Sequence, residues 1–119
     1  MRIDELIDTY CRAWSDPATE QRAELLQRVW AADAVYTDPS VEVQGRDALL
    51  AHISQIIAKR PGSMVKRTGA IDLHHGMARF AWRATTADGS VLVEGIDIAF
   101  ISTDGTMIEK IVGFLDKAE

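Results

Sequence analysis

The sequence has a single cysteine, Cys11, which excludes an internal disulfide and any clustered thiolate metal site. It carries no Gly-x-Gly-x-x-Gly stretch and no phosphate loop, the usual signs of a dinucleotide or nucleotide site. Its serines lack the strand-to-helix context of a nucleophile elbow. No apolar run reaches membrane-spanning length, and the opening Met1-Arg2-Ile3-Asp4-Glu5 lacks the apolar stretch of a signal peptide, so a cytoplasmic location is expected. Basic residues are the minority, 13 Lys and Arg against 18 Asp and Glu, and the net charge of -5 leans against a nucleic-acid or anionic-membrane binder. There is no internal repeat, low-complexity tract or linker, and residues 1–119 are expected to form one domain.

What is present is organised around Val91-Leu-Val-Glu-Gly-Ile-Asp-Ile-Ala-Phe-Ile101, the longest β-like run. Its two alternating faces are both largely apolar, which predicts an interior strand of a sheet covered on both sides. Asp97 then lies on a covered face. A carboxyl group there must be paired, protonated or placed for chemistry.

Upstream, Ile3, Leu6, Ile7, Tyr10 and Trp14 recur at helical spacing, with Asp4 and Glu5 suited to the first turn. Asp16-Pro17 reads as a cap followed by proline at the first position of a second helix. That helix is expected to run to about residue 32, burying Leu25, Leu26, Val29 and Trp30 while Glu20, Arg22, Glu24 and Arg28 face water. Residues 34–38 read as a short strand ended by Pro39, and residues 40–44 as a loop. A third helix is predicted over 46–59, apolar at Leu49, Leu50, Ile53, Ile56 and Ile57, and stopped by Arg60-Pro61-Gly62. From Met64 the period changes to two. Strands are predicted over 64–75, 77–86, 91–102 and 107–115, with tight turns at His75-Gly76, Ala87-Asp88-Gly89 and Thr103-Asp104-Gly105. Such short links imply antiparallel neighbours, and helices followed by a meander imply an α+β fold with the helices on one side of the sheet.

Three groups stand in unusually apolar settings: Tyr10, Asp38 and Asp97. Brought to one cavity, an ionised Asp38 could take a proton next to a carbonyl. Tyr10 and a protonated Asp97 could donate to the oxygen that becomes negative. Each residue also has a plainer reading. Tyr10 can be a core tyrosine, Asp38 a turn aspartate accepting backbone N–H bonds, and Asp97 the partner of a strand arginine such as Arg79 or Arg83. Asp72 and His74 share a face, whereas adjacent His74 and His75 should point apart; no metal site is expected from two ligands. His52 reads as a rim residue. Trp30, Phe80 and Trp82 are core residues unless a flat ligand stacks there. Nothing suggests a cofactor, and proton transfer needs none.

Tyr10, the stretch Trp30-Ala-Ala-Asp-Ala-Val-Tyr-Thr-Asp-Pro39, Gly45-Arg46-Asp47-Ala48 and Ile96-Asp97, in this order of elements, resemble the nuclear transport factor 2-like superfamily. Within it the chain is similar to the SnoaL-like, polyketide-cyclase-like group. The resemblance spans nearly the whole chain. It implies a cone-shaped fold: a strongly curved mixed, mainly antiparallel sheet wrapped around an internal pocket and closed by three helices. It also implies homodimers formed through the outer sheet face. The residue-level resemblance to Δ5-3-ketosteroid isomerases implies Tyr10 as an oxyanion donor, Asp38 as general base and Asp97 as a protonated donor. Two features depart from those isomerases: a longer link through Asp16 to Arg22, and Ile53 where a supporting tyrosine falls. An epoxide-hydrolase-like Asp-Arg-Asp scheme would use Asp97 and Arg83.

The expected pocket is lined by Trp14, Trp30, Ile53, Trp82, Arg83 and Phe114. The expected function is cofactor-free acid/base chemistry on a small hydrophobic carbonyl compound, isomerase- or cyclase-like. The alternative is a non-catalytic homodimeric module that binds a hydrophobic small molecule or a protein partner.

Overall fold

A computed structural model describes residues 1–15 and 17–116. Helix α1 (Ile3–Ala13) buries Leu6, Ile7, Tyr10 and Cys11, the stripe that its three- and four-residue spacing dictates. Helix α2 (Thr19–Val29) starts two residues beyond Pro17, so proline does not occupy its first position; the expected Asp16 cap lies outside the described residues. Arg22 is buried rather than water-facing, and its guanidinium donates to the hydroxyls of Thr19 and Ser54.

The second helix also ends earlier than its composition suggests. Trp30 opens strand β1 (Trp30–Asp38) instead of closing α2, because it pairs with Ile108 in the sheet. The alanines of Trp30-Ala-Ala-Asp-Ala favour helix locally, and tertiary pairing overrides that preference. Residues 41–44, expected as a loop, form strand β2 (Val41–Gln44), which turns back on β1 through Pro39-Ser40. Helix α3 (Arg46–Lys59) has the predicted bounds. Gly45 precedes it at φ +91°, a conformation that favours glycine.

The predicted strand over 64–75 is two strands, β3 (Met64–Arg67) and β4 (Asp72–His74), which pair with opposite ends of β5 (Met77–Thr85). Strands β6 (Val91–Ile101) and β7 (Ile108–Leu115) complete the sheet. Among the described residues the order is β2-β1-β7-β6-β5-β3, with β4 also on β5. The β1–β7 pair is parallel and the others are antiparallel, so the sheet is mixed and mainly antiparallel.

The cone is corrected. The strand path is open, with four-residue strands β2 and β3 at its two ends and no pairing between them, so the sheet is neither closed nor strongly curved. Tight turns fix which strands are neighbours, but closure also needs matched tilt and stagger, which they do not fix. The three helices cover one face, and the core fills the space between. Strand β6 is interior as expected, yet only its inner face (Gly95, Asp97, Ala99) is buried within the chain. On the outer face Ile96 is 43% exposed. Among the described residues no helix is long and apolar enough to cross a membrane.

Candidate functional site

Alternation along the strands decides which side chains meet under the helices. Asp97 is paired with Phe80 on one side and Gly113 on the other, and Trp82 is paired with Gly95. All five face inward, while Arg79, Arg83, Ile96 and Phe114 alternate with them and face out. Asp38 stands next to Gly113 across β7, since a Cβ on Gly113 would lie 3.5 Å from Asp38 Cβ and 2.9 Å from Asp97 Oδ1. The two carboxyl groups therefore flank one glycine.

Above them is a cavity of about 190 Å³. Helix α1 contributes Tyr10, Cys11 and Trp14, β1 contributes Tyr36 and Asp38, and β5 and β6 contribute Phe80, Trp82 and Asp97. Ala84, Val93 and Leu115 continue the apolar wall.

Asp97 is 6% exposed, and its Oδ1 accepts a 2.9 Å hydrogen bond from Trp82 Nε1. Burial pushes its carboxyl up to about 7; the indole bond pulls the other way, and the negative charge of Asp38 adds to the rise. Neither of the strand arginines expected to pair with it does so. Arg79 pairs with Asp72 at 2.5 Å and Arg83 with Glu94 at 3.4 Å, in ion pairs with exposed side chains. Gly95 makes the Trp82 geometry possible, because a Cβ there would lie 2.5 Å from the indole Cζ2.

Asp38 has the opposite environment. Its Oδ2 accepts from the Tyr36 hydroxyl at 2.6 Å; its Oδ1 accepts from the Ser40 N–H and hydroxyl at 2.7 Å and from the Val41 N–H at 3.2 Å. Burial alone would raise this carboxyl, but the bonds from Tyr36 and Ser40 outweigh it and hold Asp38 below the ordinary range. It is a turn aspartate that also borders the cavity. Two carboxyl groups sharing one wall are thus driven apart in acidity.

The hydroxyls are buried too. Tyr10 is pushed well above the usual phenol range, first by burial and then by Asp97 and Tyr36, while a hydrogen bond from the Trp14 side chain pulls the other way. Trp14 Nε1 is likewise buried, beside that hydroxyl. Burial pushes the Cys11 thiol up to about 12, so it is no thiolate nucleophile at neutral pH. His52 packs against the rings of Trp14 and Tyr36 at 5.9 and 6.0 Å, and burial lowers its basicity against the pull of Asp38.

The structure brings Tyr10, Asp38 and Asp97 to one cavity, with Trp14 and Trp82 from the expected lining. The rest of that lining is corrected. Trp30 is fully buried and stacked on Tyr10 at 5.7 Å, and Ile53 is a core residue; neither borders the cavity. Arg83 and Phe114 are on the outer face, one residue out of step with Trp82 and Gly113. His74 and His75 do not point apart: His75 lies beyond the strand end at φ +48°, and the two Nδ1 atoms are 3.0 Å apart on the surface. Tyr36, Gly95 and Gly113 were not recognised as site residues. Tyr36 had a signal, being two residues from Asp38 on one strand. The glycines had none short of strand register.

Residues 7–110 match the model of the SnoaL-like domain family. A proposed isomerase of the SnoaL-like family from Agrobacterium tumefaciens is 33% identical, with 95% of this chain and 96% of that chain covered and a TM-score of 0.87. An NTF2-like protein of unknown function from an Exiguobacterium species is 19% identical over 98% of each chain, at a TM-score of 0.70. A proposed polyketide cyclase from Sinorhizobium meliloti is 17% identical, covering 92% of this chain and 93% of that one, also at 0.70. These last two likenesses concern the fold. No curated protein matches the sequence.

Proposed function

Since the chain belongs to the SnoaL-like family, we propose that it is a cofactor-free acid/base enzyme for a small hydrophobic carbonyl compound, with Asp97 as the proton carrier. The observation that carries this reading is a buried carboxyl, raised to about 7, facing a mostly apolar cavity that it shares with Asp38. A carboxyl raised toward neutrality can both take and return a proton there, which is the condition for one residue to serve as base and acid. Asp97 removes a proton from the carbon next to the carbonyl, and the electron pair of that C–H bond moves onto the carbonyl oxygen. Where a double bond is conjugated with it, the enolate takes the proton back from Asp97 at the far carbon; otherwise it attacks a second carbonyl to close a ring, and the alkoxide formed takes the proton from Asp97. Isomerisation would align the chain with the activity proposed for its Agrobacterium relative, and ring closure with that proposed for the Sinorhizobium protein.

Asp38, the base that the ketosteroid-isomerase resemblance implies, is a weaker base here because its hydrogen bonds favour the ionised form. Its fixed charge instead helps to hold Asp97 up. The test is exchange of carbon-bound protons for deuterium in a panel of small ketones, followed by NMR. Asp97→Asn should slow exchange by roughly 10²- to 10⁴-fold, the usual contribution of a general base. Unchanged exchange in that variant, with loss in Asp38→Asn, would return the base role to Asp38.

The second reading, a non-catalytic module that binds a hydrophobic small molecule, draws support from the way Asp38 is tied into its own turn. It expects ligand binding and no exchange. Either reading accommodates a second copy of the chain on the outer sheet face, where Ile96 is 43%, Phe100 37% and Phe114 58% exposed. Sedimentation of the wild type against Phe114→Glu tests that contact: a wild-type dimer that the variant breaks supports it, and a wild-type monomer rejects it.

A further inference from the structure

The charged groups that line the cavity are both acidic. Asp38 and Asp97 border it, and among the described residues no lysine, arginine or histidine does. His52 packs on the rings of Trp14 and Tyr36 without reaching the wall. Most N–H and O–H donors of the wall are already engaged: Trp82 donates to Asp97, Tyr36 and Ser40 to Asp38, and Trp14 to Tyr10. Asp97 is 6% exposed, and its Oδ2 accepts no hydrogen bond among the described residues. A carboxyl in that setting lacks a positive partner, and burial rather than a charge pair sets its acidity.

The rest of the wall points to the same sign of ligand charge. Tyr10, Trp14, Tyr36, Phe80 and Trp82 bring aromatic rings to the cavity, and ring faces carry partial negative charge. The two carboxyls flank Gly113, so their charges act on one part of this space. A neutral apolar ligand would use the rings and leave the acids unmatched. A bare metal ion would use the acids alone, and the described residues hold no group of three ligands for one. A cation with an apolar skin uses both. Four hydrogen bonds already converge on Asp38, so a methylated ammonium, which needs a counter-charge and no acceptor, suits it better than a primary amine.

We propose that the cavity binds a small methylated ammonium ion, its charge set among the aromatic rings and balanced by Asp38 and Asp97. This goes beyond the proton-transfer reading and does not depend on it. A carbonyl compound that carries such a group would satisfy both.

The test is NMR titration of the full chain, at a pH above the Asp97 midpoint of about 7, with choline and with neohexyl alcohol. The alcohol has the shape of choline with carbon in place of the charged nitrogen. Choline should bind roughly ten- to thirtyfold more tightly, the scale of a desolvated cation–π contact, and should shift the indole N–H signals of Trp14 and Trp82. Asp38→Asn and Asp97→Asn remove charge at nearly constant shape. Each should weaken choline roughly threefold or more and leave the alcohol within about twofold. Phe80→Leu, which keeps an apolar wall and removes a ring, should likewise weaken choline selectively. The comparison in the wild type stands whether or not a variant folds. Choline that binds no more tightly than the alcohol, choline shifts confined to surface carboxylates, or variants that weaken both ligands alike would each overturn the inference. Deuterium exchange without choline binding would sink this inference alone, and choline binding without exchange would sink the proton-transfer reading alone.

Discussion

The indole N–H of Trp82 donates to Oδ1 of Asp97 across 2.9 Å, from a ring laid over Gly95. That bond is the sole protein hydrogen bond to Asp97 found among the described residues, and it moderates the effect of burial on the carboxyl. Replacing Trp82 with Phe keeps an aromatic ring and removes the donor. The Asp97 midpoint should rise above about 7, its value with the bond in place. Carboxyl ¹³C shifts of Asp97 across pH would show it; a midpoint that stays or falls would mean that the bond does not tune the acid.

The raised carboxyl also couples stability to pH. In the fold Asp97 keeps its proton at pH values where the unfolded chain has lost it, so between the ordinary carboxyl range and about 7 the native state binds more protons. Its contribution is complete below about pH 3.9, the unfolded value, and is lost as pH rises through about 7. The full swing is roughly 4 kcal/mol at most by linkage. Asp97→Asn keeps an acceptor for Trp82 and cannot ionise. Urea unfolding from pH 4 to 8 should therefore show the variant gaining on the wild type steadily as pH rises. A constant difference between the two would mean that Asp97 titrates normally.

Glycine placement gives a graded prediction. At Gly113 an added Cβ would lie 2.9 Å from Asp97 Oδ1, the end of a side chain that can swing aside. At Gly95 it would lie 2.5 Å from the Phe114 carbonyl oxygen and from the Trp82 ring, and the backbone atom cannot yield. Gly113→Ala should cost about 1–2 kcal/mol of stability and disturb the Asp97 midpoint, whereas Gly95→Ala should cost roughly 3 kcal/mol or more. Denaturant midpoints of the two variants would check the order. Equal costs would mean that the sheet relaxes around both.

These contacts explain how much of the site could be read beforehand. Asp97 was legible as a buried carboxyl because its strand neighbours are apolar, and Asp38 as a turn residue because proline follows it. The third helix was legible end to end from its spacing and its glycine and proline boundaries. Strand register was not: it alone lays Trp82 over Gly95 and puts Gly113 between the carboxyl groups. Alternation already separated Arg83 from Trp82 and Phe114 from Gly113, so they could not share a wall with those neighbours. The boundary at Trp30 was hidden because its partner, Ile108, lies far along the chain.

Tyr10 separates stability from function. The Trp14 indole donates to its hydroxyl oxygen, but the hydroxyl's own proton is buried with no acceptor among the described residues, and such an orphan donor costs about 1–3 kcal/mol. Tyr10→Phe removes the orphan and keeps the ring stacked on Trp30 at 5.7 Å. Without ligand the variant should be more stable by about 1 kcal/mol, read from denaturant midpoints. With a saturating carbonyl ligand the advantage should shrink or reverse, because only the wild type gains a hydrogen bond from the ligand and ligand binding adds to native-state stability. A variant less stable than wild type without ligand would mean that the hydroxyl proton already has an acceptor in the folded chain. The Tyr10 oxygen would then not be held in reserve for a carbonyl.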